Sequence, residues 1–212
     1  MKKLLLIIPP LVICDHTFLF AQTKELDSLK VEINKHPQQD SIRVSLLVNY
    51  VLAAVNTNTS QALPYMQEVV SLSRELNYKK GIQLGYIYLQ LYYSDRGDFT
   101  ASSLYADTAI QILVTDTTRS SKINIAYLYI NLGGDNFKLG DYQKSIDYYT
   151  KAAELLEKYR PEVIATAYTG LSAVYEALQQ FDKAFEYDKK AIDAAEKSGD
   201  KASMARRYLN YA

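Results

Sequence analysis

The 212-residue sequence has one cysteine, two histidines and no tryptophan. One cysteine excludes a disulfide framework and the paired-cysteine zinc motifs. Five prolines and eight glycines are too few for a collagenous or low-complexity chain. Lysine plus arginine and aspartate plus glutamate number 24 each, so there is no basic excess of the kind that binds nucleic acid. Long apolar runs are also missing. Leu4–Ile13 is ten residues, whereas a membrane span takes about 20, and the later Val44–Val55 stretch is short and interrupted by Asn49. What the sequence does have is tyrosine, at 19 positions.

The N-terminus reads as an address. Met1-Lys2-Lys3 is basic, Leu4–Ile13 is apolar, and Phe18-Leu19-Phe20-Ala21-Gln22 offers a small residue at a cleavage point. These are the parts of a secretory signal peptide over residues 1–21. An uncleaved anchor is the alternative, and so is lipidation at Cys14, which Leu11-Val12-Ile13 disfavours because no small residue precedes the cysteine. Cleavage removes Lys2, Lys3, Asp15, Cys14 and His16, leaving no cysteine, one histidine (His36) and a net charge of about −1. The expected location is the periplasm or cell envelope of a bacterium. Without disulfides, such a fold rests on packing alone.

The remainder repeats with a period near 40. Units begin at Arg43, Gln83, Ala126 and Ala165, and a fifth begins at Ala205. Unit position 4 is Leu46, Tyr86, Tyr129, Tyr168 and Tyr208; position 7 is Asn49, Leu89, Leu132, Leu171 and Tyr211. Position 17 is Thr59, Phe99, Tyr142 and Phe181. Position 23 is tyrosine in every complete unit: Tyr65, Tyr105, Tyr148 and Tyr187. Small residues stand at position 20 (Ala62, Ser102, Ser145, Ala184), and at position 27 in three units (Ala109, Ala152, Ala191; Val69 in the first), where paired helices would approach closely. Tyr129, Leu132 and Asn136, then Ile146, Tyr149, Ala152 and Leu156, are spaced by three or four, so each set shares a helical face. Gly140 can end the first helix of its unit and Asp141 can cap the second; Gly97-Asp98 repeats the device. Gln179-Gln180 and Thr57-Asn58 stand there in the other units, whose turns should be less sharply specified.

Ala126-Tyr-Leu-Tyr-Ile-Asn-Leu-Gly133-Gly, Gly140-Asp-Tyr142 and Ala152 together resemble the tetratricopeptide repeat, a 34-residue helix–turn–helix unit. The resemblance covers residues 43–212 and implies an all-α, right-handed α-solenoid. Its divisions are residues 43–82, 83–125, 126–164 and 165–204, with 205–212 as a fifth unit's start or a terminal capping helix. The extra length resembles units of kinesin light chains and of bacterial peptide-sensing regulators. Polar links lie at 116–124, 158–162 (with Pro161 suited to a first helical turn) and 198–201. Residues 22–39 supply an N-terminal capping helix and linker, with Leu26, Leu29 and Ile33 on one face and His36-Pro37 as the stop.

Catalytic patterns are not found. The mature chain has no cysteine and a single histidine, which leaves no Ser-His-acid or Cys-His set. Gly170-Leu-Ser172-Ala-Val174 lacks the second glycine of a nucleophile elbow. Gly133, Gly134 and Gly140 fit neither phosphate-loop nor dinucleotide spacing, and Asp135, Asp141 and Asp147 do not follow calcium-loop spacing. Glu154 and Glu157 read as a solvated face, and His36 as a loop residue. No cofactor, metal site or enzymatic activity is expected of this segment, although a longer parent protein could carry a histidine kinase domain.

What the resemblance implies is a peptide-binding groove lined by first-helix positions 2, 5, 9, 12 and 13. These are Leu84, Ile87, Leu91, Ser94 and Asp95; Tyr127, Ile130, Gly134, Phe137 and Lys138; and Thr166, Thr169, Ala173, Glu176 and Ala177. Lys138 is the only basic residue among them, too few for the carboxylate clamp of chaperone-binding members. Partners are therefore expected to be a protein or peptide, with membrane contact only through the leader or a downstream segment. The Asp40-Ser-Ile-Arg-Val start and the Leu76-Asn-Tyr-Lys-Lys-Gly81-Ile link resemble exported bacterial sensors. In those, repeats precede a membrane helix and a histidine kinase or a helix-turn-helix regulator. Tyr211-Ala212, inside a first helix, fits a partial product of such a protein. An exported nutrient-binding or envelope-assembly protein is the alternative.

Overall fold

The computed structural model describes residues 13–55 and 59–198, and among them every regular element is helical. The chain divides into two compact units, residues 1–85 and 86–212. Thr57 and Asn58, and the proposed fifth unit from Ala205, lie outside the described residues.

In the first unit, α1 (Ile13–Lys35) is followed by α2 (Ser41–Val55), α3 (Thr59–Glu75) and the start of α4 (Lys79–Asp95). Leu26 and Ile33 of α1 are buried about two turns apart, and His36 N–H closes the last turn onto Glu32 and Ile33. Asp40 opens α2 by accepting the N–H groups of Ile42 and Arg43, both at 3.0 Å, and it also meets His36 Nε2 at 2.9 Å. The Arg43 amide first, then the His36 ring, hold the Asp40 carboxyl below its ordinary range. The Arg43 guanidinium ties three elements together, donating to Ile33 O, His36 O and Glu68 Oε1. Position 4 is leucine here, so Tyr65 finds its ring partner at Tyr50 instead, 4.1 Å between centroids.

The second unit pairs α4 with α5 (Phe99–Leu113), α6 (Arg119–Lys138) with α7 (Tyr142–Tyr159), and α8 (Ala165–Ala177) with α9 (Phe181–Ser198). Within each pair, the tyrosine at position 4 meets the tyrosine at position 23. The centroid distances are 6.1 Å for Tyr86–Tyr105, 5.9 Å for Tyr129–Tyr148 and 6.1 Å for Tyr168–Tyr187. Such pairs contribute about 0.5–1.5 kcal/mol each beyond their burial. Tyr93 and Tyr175 extend two of them, at 5.3 and 5.5 Å from Tyr105 and Tyr187. Small residues permit the approach: Ser102, Ser145, Ala109, Ala152 and Ala191 are fully buried and Ala184 nearly so, beside buried Leu89, Leu132 and Leu171.

The turns follow one scheme. Gly97 (φ 75°) and Gly140 (φ 77°) take the left-handed conformation that ends α4 and α6. The residue after each glycine bonds back five residues, Asp98 N to Tyr93 O and Asp141 N to Asn136 O. The same aspartates then cap α5 and α7 through Ala101 N and Lys144 N. The turn at Gln179 corrects the expectation of a looser link. Gln179 adopts φ 59°, and the two closing bonds, to Glu176 O and Tyr175 O, form at 2.8 Å without a glycine. Pro161 begins a single 3-10 turn, Pro161–Val163, before α8.

Candidate functional site

The first helices α4, α6 and α8 carry the predicted groove positions. On each, positions 2, 5 and 9, followed by 12 or 13, come at intervals of three or four, so they share one face. Asn131 Nδ2 donates to Gln90 Oε1 at 2.8 Å, and Ser94 Oγ donates to Asp135 at 2.5 Å. Each partner is 41 residues from the other, so α4 and α6 run side by side in parallel. On α4, Ile87 and Leu91 are half-buried and Asp95 is exposed; Leu84, half-buried, belongs to the first unit. On α6, Ile130 and Gly134 are half-buried and Lys138 is exposed. On α8, Thr166, Thr169, Glu176 and Ala177 are exposed and Ala173 is half-buried. The face is therefore aliphatic along α4 and α6 and hydroxylic along α8.

Several expected contact residues have internal partners. Phe137 packs on Tyr142 at 5.8 Å, and the Tyr127 hydroxyl accepts a hydrogen bond from Arg160 Nη1 at 3.0 Å. The Lys138 ammonium lies 5.6 Å from the centre of the Phe99 ring. Ser94 turns inward to Asp135, and Thr169 Oγ1 donates to Ala165 O. Ile87 and Leu91, with Ile130, which also packs against the buried cluster around Ala126, Ala152 and Leu156, are left as the apolar surface of the face.

Beneath the face runs a polar relay that the sequence does not announce. Asp135, only 2% exposed, accepts from Ser94 and from Ser102 Oγ at 2.6 Å. Gln90 Nε2 donates to Ser102 Oγ at 3.0 Å, which joins Asn131, Gln90, Ser102, Asp135 and Ser94 across α4, α5 and α6. A second feature is Tyr149 of α7, whose ring covers Gly133 and Gly170. Burial, and secondarily the Asp135 carboxylate, raise its phenol above the ordinary range. Among the described residues there is no cluster of three or more histidine, cysteine, aspartate or glutamate side chains able to hold a metal.

Paired helices, tight capped turns and aromatic spacers at fixed repeat positions define a tetratricopeptide-like helical repeat protein. Residues 123–197 match the tetratricopeptide repeat family model. Among solved structures, the chain is similar to aspartyl phosphate phosphatase F from Bacillus subtilis (TM-score 0.78, 16% identity, 90% of this chain and 52% of that one). It is similar to BtubC from P. vanneervenii (TM-score 0.69, 15% identity, 91% and 79%). It is also similar to NprR in complex with its cognate peptide NprX (TM-score 0.68, 16% identity, 90% and 55%). The chain spans about half the length of the phosphatase and NprR chains. At these identities the likeness is one of fold. No curated protein sequence matches the chain.

Proposed function

We propose that this chain is a non-catalytic module that binds a protein or peptide, exported to the bacterial periplasm or cell envelope as the sensory or scaffold part of a signalling protein. The observation that carries the reading is the shared face of α4, α6 and α8, where Ile87, Leu91 and Ile130 stay only half-buried beside exposed Thr166, Thr169 and Glu176. A strip of this kind suits an extended segment with apolar side chains at one end and polar groups at the other. The likeness to NprR, solved with a peptide, supports the same choice of partner. Export rests on the N-terminal leader. The buried residues of α1, Leu26 and Ile33, lie beyond Gln22 and would survive cleavage there.

The test is selection of random octapeptides on the intact chain, followed by calorimetry. Ile87→Ser with Ile130→Ser should weaken the selected peptides about tenfold or more, at roughly 1 kcal/mol per truncated contact, with helicity retained. Superimposable isotherms would remove the face from consideration. For export, a tagged chain expressed in a bacterium should yield a mature protein beginning at Gln22, and recovery of intact Met1 would count against it.

A further inference from the structure

Tyr149 belongs to α7, a second helix, yet its ring reaches the layer of first helices. A Cβ added at Gly133 would meet three of its ring carbons at 3.0 Å, and one added at Gly170 would meet ring carbons at 2.3–2.6 Å. Gly133 lies on α6 and Gly170 on α8, so the phenol occupies space that only two glycines leave open. A Cβ at Gly134, the next residue of α6, would stand 3.5 Å from the Tyr149 hydroxyl. Gly134 shares its helical face with Ile130 and Lys138. The hydroxyl therefore lies beside Gly134, on the side of α6 that carries Ile130 and Lys138.

Packing does not require that hydroxyl. A phenylalanine would fill the space against Gly133 and Gly170 equally well. The hydroxyl has no hydrogen-bond partner among the described residues, and it is not among the enclosed unpartnered atoms, which belong to Tyr50, Ser73 and Gln83. It is an unused donor that is not fully enclosed. Burial and the Asp135 carboxylate both keep the phenol protonated, so it is a donor at any physiological pH.

We infer that the Tyr149 hydroxyl is a ligand-contacting group of the α6–α8 face, donating a hydrogen bond to a main-chain carbonyl of a bound extended peptide. Gly134 presents no side chain, so a peptide backbone can come within hydrogen-bond distance there. In an extended segment, carbonyls facing one way recur about every 7 Å, so one can meet the hydroxyl while neighbouring side chains rest on Ile130 and Leu91.

This inference rests on the proposed peptide-binding face, and two sets of variants separate their failures. The probe is the set of octapeptides selected on the wild-type chain. Tyr149→Phe should bind them five- to tenfold more weakly, with an unchanged unfolding midpoint. Gly134→Ala, whose methyl would touch the hydroxyl, should also bind them more weakly while unfolding no earlier. Equal affinities for wild type and Tyr149→Phe would overturn the inference, as would a lowered midpoint for Tyr149→Phe, which would make the hydroxyl structural. Peptides indifferent to Ile87→Ser with Ile130→Ser, or no selected peptides at all, would refute the binding face and this inference with it.

Discussion

Removing the Asp135 carboxylate tests whether the polar relay holds α6 against α4 and α5. The carboxylate is 2% exposed and accepts from two serine hydroxyls, and no lysine or arginine pairs with it among the described residues. Hydrogen bonds to a charged acceptor contribute about 1.5–3 kcal/mol each. Against them stands the cost of keeping an ion out of water, several kcal/mol. In Asp135→Ala that cost is relieved, but Ser102, fully buried, loses its acceptor. We expect a net loss of about 2–3 kcal/mol, and a loss of about 1 kcal/mol for Asp135→Asn, which preserves the shape and one acceptor. Ser102→Ala with Asp135→Ala should cost less than the two single changes together, by a coupling of about 1–2 kcal/mol. Urea unfolding followed by circular dichroism gives the totals. Amide exchange over α4, α5 and α6 shows whether the opening is local, as repeat stacks permit. Single costs that simply add, or an Asp135→Ala chain more stable than wild type, would refute the reasoning: the carboxylate would then be a desolvated liability rather than a tie.

Two other changes should stabilise the chain. Gln179→Gly relieves a left-handed non-glycine residue (φ 59°) and keeps both turn bonds. After subtraction of glycine's unfolded-state entropy it should gain about 0.5–1 kcal/mol, read as a higher urea midpoint; a lower midpoint would contradict it. Ser73→Ala removes a fully enclosed hydroxyl that has no partner among the described residues. It should be neutral or stabilising by about 1 kcal/mol, and a loss of that size would mean the hydroxyl has a partner in solution.

Much of the fold is legible because the period places rare residues. Tyrosine at positions 4 and 23 reads directly from the sequence, and the structure turns that coincidence into ring contacts within three helix pairs. The Gly-Asp turns are equally plain, since the left-handed residue and the cap are neighbours in sequence. Gln179 shows the limit of reading turns by glycine. The two 2.8 Å closing bonds offset a strain that residue type alone suggests would be avoided. The proposed binding face is less legible because several of its residues are claimed by partners that the repeat pattern does not predict. Tyr127 is held by Arg160 from the link between α7 and α8, a position under no periodic constraint. The relay was visible in principle: Gln90 and Asn131, like Ser94 and Asp135, are separated by 41 residues, about one repeat. Nothing local marks them, because a polar residue on a helix facing another helix looks the same in sequence as one facing water.

Unit position 8 shows how similar backbones acquire different roles. Its residues are Tyr50, Gln90, Gly133 and Ser172, all buried, so each has to be accommodated by its surroundings. Tyr50 takes the ring of Tyr65; Gln90 carries the relay to Ser102 and Asn131; Gly133 admits the ring of Tyr149. A side chain at Gly133 would displace the Tyr149 ring, and a glycine at Gln90 would leave Asn131 and Ser102 without their shared partner. The units are therefore not interchangeable, although their helices and turns are built alike. Stability comes from the positions that repeat, while the junctions, and with them the chemistry offered to a partner, come from the positions that do not. The third unit alone combines glycine at positions 8 and 9 with a tyrosine on its second helix behind them. That combination brings a hydroxyl from the second layer of helices up to the face formed by the first.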